Sequence, residues 1–182
     1  MFLEQGFNRV SMDAIAEAAP VSKPTLYSHF KDKEALFIAV IEPRCQVMFD
    51  RFEEGISAET GLEDALYRIG LAFLDLAFSP EAISVNRTIL GEVHAFPALG
   101  QLFYKTGPKK SLAILSAYLK KQQVAGRIKL SDPDEAAAMF ISMLKGAAHM
   151  QLLLGLRKTL TQAERERHVR YAVDVFLNGH RL

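Results

Sequence analysis

A chain of 182 residues, 49% hydrophobic and 24% charged, has the apolar mass for one packed unit or a small unit joined to a larger one, and is too apolar to be a disordered tail. Its net charge of +1 supplies no broad positive field, so any contact with nucleic acid has to come from individually placed groups. The lone cysteine, Cys45, excludes an internal disulfide framework and a cysteine-based zinc site.

Helix is predicted throughout. No run alternates polar and apolar residues between turn signals, whereas Leu62, Leu66, Ile69, Phe73 and Leu76 recur at spacings of three and four. In chain order, a first helix is expected to end at Gly6, a natural left-handed cap. A short helix follows over 11–19, capped by Ser11 with Asp13 in its first turn and stopped by Pro20. A second covers 22–30, capped by Ser22 with Pro24 at its start. A long helix runs from Lys33 into the low fifties, and further helices are expected near 61–79, 81–95, 98–106, 108–125, 133–156 and 162–178, with Gly and Pro at the joints. The fold class is therefore all-α: a three-helix helix-turn-helix domain over 1–48, then a larger helical-bundle domain over 49–182, joined through the long helix. The opening lacks the layout of a secretory signal, and no charge-free apolar stretch is long enough to cross a bilayer, so a cytoplasmic protein without a membrane partner is expected.

The segment from Val10 to Lys33 is the most informative. Met12, Ile15, Ala16 and Ala19 should form one apolar face, met by Val21, Leu26 and Phe30. Two short helices joined by a three-residue turn make a helix-turn-helix. Lys23, Thr25, Tyr27, Ser28 and His29 would then point outward, as donors for phosphates and base edges, with Thr25 and Tyr27 also offering apolar surface to a thymine methyl. Lys33 would open the long helix, where ammonium and unpaired N–H groups together favour a phosphate. From the residues alone, a helical hairpin packed inside a bundle fits equally well. Between Arg9 and Lys33 four basic residues stand against three acidic ones, too small a surplus to decide.

Ser11-Met-Asp-Ala-Ile-Ala-Glu-Ala-Ala, Val21-Ser-Lys, Thr25-Leu-Tyr-Ser-His-Phe and Lys33-Glu-Ala-Leu resemble the DNA-binding signature of the TetR/AcrR repressor family. The resemblance implies a homodimer with one helix-turn-helix per subunit, bound to a palindromic double-stranded operator and released by a small-molecule effector, with no cofactor. By position it makes Ser11, Ser22, Lys23, Thr25, Tyr27, Ser28, His29 and Lys33 the DNA-binding candidates. Two positions depart from the family pattern. Pro20 stands where the turn usually has glycine, and Pro24 where the recognition helix often has one, so base preference should differ from that of glycine-bearing relatives. The family also has a longer first helix preceded by a basic arm, so the first helix is expected to be truncated here.

The remainder is rich in bulky apolar residues, most of them expected core. Phe73, Phe78, Phe96, Phe103, Tyr104, Tyr118, Met143 and His149 are the candidates to line a pocket for a small apolar effector. The stretch from Asn86 to Gly100, with Phe103-Tyr and Gly107-Pro, is similar to the C-terminal domain of AefR-like members of the family. Residues 136–156 are apolar nearly all round, which requires cover on both sides. Phe140, Leu144, Ala148 and Gln151, with Val169, Val173 and Phe176 from the last helix, are the candidate dimer interface, a four-helix contact about a two-fold axis. The basic run from Lys105 to Lys129 reads as a solvated face.

Enzyme and metal readings are weaker. Glu92-Val-His94 and Glu166-Arg-His168 are one residue short of the di-iron spacing, and there is neither a glycine-rich phosphate loop nor a serine elbow. No metal, cofactor or catalytic residue is expected. The alternative kept open is a helical dimer that binds a ligand or a partner protein without DNA, and for a regulator, activation stays open beside repression.

Overall fold

The computed structural model describes residues 1–2, 6–57 and 61–180, and among these it contains nine helices and no strand. They are α1 (Met12–Ala18), α2 (Lys23–His29), α3 (Lys33–Ser57), α4 (Leu62–Ala77), α5 (Pro80–Glu92), α6 (Pro97–Thr106), α7 (Pro108–Val124), α8 (Pro133–Leu153) and α9 (Gln162–Asn178). Of the predicted first helix, residues 3–5 lie outside the described set. Its end is visible: Gly6 takes φ +87°, and its N–H donates to Phe2 O at 3.0 Å.

Most boundaries follow from local chemistry. Ser11, Ser22, Ser79, Asp132 and Thr161 each accept a hydrogen bond from a first-turn N–H, satisfying donors that a helix start leaves unpaired. Pro24, Pro80, Pro97, Pro108 and Pro133 sit in first turns, where a missing N–H costs nothing. Thr161 and Glu164 form a reciprocal capping box, and Arg157 and Thr161 hold the Glu164 carboxyl down at about 2.

Burial divides the chain unevenly. α1 and α2 share a small core of Met12, Ala16 and Leu26, with Ile15, Phe30 and Leu36 against it. Two expected members are outside it: Val21 is 40% exposed, and Ala19 is exposed as the cap of α1. All other buried apolar residues, from Phe2 to Phe176, form one continuous cluster. α3 is the spine between the two regions, and Pro43 within it removes one helical hydrogen bond.

At Gly70, where an added Cβ would stand 2.6 Å from Val169 Cγ1, α4 packs closely against α9. α8 breaks at Gly146 (φ 47°, ψ −162°), and His168 of α9 closes the gap with its Nε2 2.9 Å from Leu144 O and 3.1 Å from Met143 O. At its far end, Arg87 donates to Leu152 O and Leu153 O, groups that a helix end leaves without partners.

Among the described residues α8 is the one helix whose length and composition suffice to cross a membrane, and it carries Lys145 within its apolar run. Part of its apolar character has an interior cause: Ala136, Ala137, Phe140, Ile141 and Leu144 fill the core.

Candidate functional site

α2 projects as a short rod held by a single buried side chain, Leu26. Its polar side is open: Lys23, Thr25, Ser28 and His29 are exposed, and Tyr27 is 50% exposed. Ser22 Oγ accepts from Thr25 N at 3.2 Å and lies 2.7 Å from Thr25 Oγ1, while Ser28 Oγ donates to Thr25 O at 2.7 Å. These bonds hold the hydroxyls without covering them. Lys23 reaches across the turn to Asp13 at 2.7 Å, and that hydrogen bond, before simple charge attraction, raises its pKa. Ser11 caps α1 through Ala14 N at 3.1 Å and is exposed. Pro20 lies exposed in the turn between α1 and α2.

Lys33, an expected phosphate contact, is engaged within the chain. Its Nζ donates to Phe7 O at 2.8 Å and lies 4.3 Å from the centre of the Phe7 ring. The start of α3 is already served, since Asp32 Oδ1 accepts from Ala35 N at 2.8 Å. Lys33 therefore ties the start of α3 to the segment that precedes α1, and its Nζ lies 6.0 Å from the centre of the Phe96 ring. The same seam holds Phe96, its ring 5.8 Å from that of Phe7, and Glu92, whose Oε1 accepts from Asn8 N at 3.2 Å.

Behind this seam lies a cavity of about 360 Å³, walled by α3, α4, α5, α6, α7 and α8. Phe73, Phe103, Tyr104 and His149 line it, as expected. Phe78, Phe96, Tyr118 and Met143 do not. Phe78 stands behind the wall with its ring stacked 5.9 Å from His149, Phe96 belongs to the seam, and Tyr118 is buried in the core. Met143 is half-buried, and its carbonyl faces His168.

The sequence reading missed Arg44, Cys45, Met48, Glu81 and Lys145 among the lining residues. Lys145 had a legible signal, being the one charged residue between Ala136 and Leu156. Burial lowers its pKa. It also lowers that of His149, with a smaller contribution from Lys145, and raises the Cys45 thiol.

The predicted dimer set is mostly interior. Phe140, Leu144, Val169, Val173 and Phe176 are each at most 2% exposed within the single chain, because the apolar stripes of α8 and α9 meet each other and α4 first. Ala148 is half-buried and Gln151 exposed. The outer surfaces of these two helices carry other apolar side chains: Met139, Met150, Leu154, Tyr171 and Val175. Glu92 and His168, read as fragments of metal motifs, are taken up by the Asn8 amide and the Gly146 break.

Residues 64–180 match the family model described as the AefR-like transcriptional repressor C-terminal domain, and residues 1–40 match that of the bacterial regulatory proteins of the tetR family. Among solved structures, the flavonoid-responsive regulator FrrA is 34% identical, with a TM-score of 0.80 over 99% of this chain and 91% of that one. A TetR-family regulator from Mesorhizobium loti is 28% identical, with a TM-score of 0.86 over 100% and 91%. The transcriptional activator FasR of Mycolicibacterium smegmatis is 32% identical over 75 residues, which are 41% of this chain and 34% of FasR. The chain thus spans about a third of the length of the curated relatives it matches.

Proposed function

The chain belongs to the TetR family of DNA-binding transcriptional regulators, and from that premise we propose that it sits on a palindromic operator as a homodimer and leaves it when a small, largely apolar effector fills the cavity. The observation that carries this reading is the open polar side of α2. Tyr27 is half-exposed on a helix otherwise too small to have a core of its own, an arrangement that leaves its polar groups free for base edges and phosphates. Thr25, Tyr27, Ser28 and His29 enter the major groove, while Ser11, Ser22 and Lys23 face the backbone, Lys23 exchanging Asp13 for a phosphate. Lys33 acts from the seam, positioning the rod.

A second copy covers the outer surfaces of α8 and α9, where Met139, Met150, Leu154, Tyr171 and Val175 are exposed, as are the small residues Gly146 and Ala147. Two recognition helices about 34–36 Å apart then read half-sites one turn apart. The cavity touches α3, the helix that also carries the seam, so a ligand there can alter the spacing of the two rods. A coupling of about 1–3 kcal/mol suffices for such a switch. The repressor sense is supported by the AefR-like match, and an apolar effector by FrrA, a flavonoid-responsive relative. Acting on DNA, the protein works in the cytoplasm.

Selection of genomic fragments by the purified chain, followed by fluorescence anisotropy on the enriched site, tests the reading. A palindromic site with steep salt dependence is expected. Absence of any site bound above non-specific DNA refutes it in favour of a helical dimer that binds only ligands or proteins.

A further inference from the structure

Charge inside the effector cavity is not balanced. Arg44 and Glu81 both reach its wall and pair with each other at 3.4 Å, so their charges largely cancel. Lys145 enters from α8, half-buried, and among the described residues no carboxylate lies within ion-pair distance of it. The cavity wall is mainly apolar, with Met48, Phe73, Val85 and Ile141 in it, and Asn86, Tyr104 and Ser111 are among its uncharged polar members. A desolvated ammonium without a counter-ion is unfavourable, and the lowered pKa of Lys145 reflects that burial. His149, beyond the Gly146 break, also lines the cavity and is held toward its neutral form, so it provides a hydrogen-bonding group without adding a second charge at neutral pH.

We propose that the cavity selects effectors carrying one anionic group, a carboxylate or its equivalent, seated against Lys145 on an otherwise apolar body. This rests on the cavity being the effector site. An anion supplies the missing counter-charge where little water competes, and a charge-assisted hydrogen bond there is worth about tenfold or more in affinity. A neutral ligand of the same shape leaves the ammonium unpaired, and a cation is repelled by it.

The test compares 2-naphthoate with 2-naphthalenemethanol, the same aromatic body with and without the charge, by calorimetric titration of the full chain. The acid is expected to bind at least about tenfold tighter. Lys145→Met, which keeps an apolar stem of similar length, should abolish the preference and leave the alcohol within about twofold, whereas Lys145→Arg should retain it. Equal affinities in the wild type, or a preference that survives Lys145→Met, overturn the proposal. If the alcohol binds but the acid gains nothing, the effector cavity stands and only the charge selection fails. If neither binds, both fail.

Discussion

Three buried side chains, Met12, Ala16 and Leu26, make up the core of the helix-turn-helix, whereas the region behind it holds a partly open cavity beside a cluster that runs from Phe2 to Phe176. The small region cannot bury enough apolar surface to stand alone. It relies on caps, on the Phe7–Lys33–Phe96 seam and on the start of α3. The large region has core to spare and tolerates both a void and a half-buried charge. The contrast teaches where each function can sit: contacts to a large polar partner on the minimally packed rod, and an apolar ligand within the well-packed bundle.

The comparison breaks most readily at the seam. Phe7 is fully buried, and its ring meets those of Phe2, Phe37 and Phe96. Phe7→Ala should cost about 3–5 kcal/mol of unfolding free energy in urea melts and abolish operator binding. A loss under 1 kcal/mol would mean the helix-turn-helix does not lean on the body.

Leu26→Ala sharpens the same division, because it empties the small core alone. An effect of about 2–4 kcal/mol is expected, with hydrogen exchange accelerated in α1 and α2 and ligand binding in the cavity retained. Acceleration spread through α4 and α9 would show one cooperative unit instead.

The smallest effect concerns pH. Burial sets the His149 pKa below its ordinary 6.5, so the unfolded chain takes up that proton first. Above the ordinary value the group is neutral in both states and stability is unaffected. As pH falls through that value toward the lower folded one, stability declines. The difference in urea midpoint between wild type and His149→Gln should therefore change between pH 8 and pH 5.5 in favour of the variant, and a constant difference would contradict the assignment.

The legibility of the sequence divided along the same line. Helix starts were readable because Ser11 and Ser22 cap through local bonds, and proline marks five first turns. The open side of α2 followed from its spacing around Leu26. The inward turn of Lys33 was not readable, since it depends on a carbonyl 26 residues away. On α8, apolar nearly all round, periodicity could not say which stripe faces the core: Phe140 and Leu144, expected at an interface, are interior, while Met139 and Met150 are exposed. Large aromatic residues likewise did not separate cavity wall from core. The lone charge at Lys145 marked the cavity more specifically than any ring.

The open side of α2 is tested most directly by operator affinity in Tyr27→Ala, measured by anisotropy on the selected palindrome beside the melting temperature of the same preparation. The account predicts a loss of about tenfold or more, with the melting temperature unchanged because Tyr27 is half-exposed. Wild-type affinity in a folded Tyr27→Ala protein would contradict it.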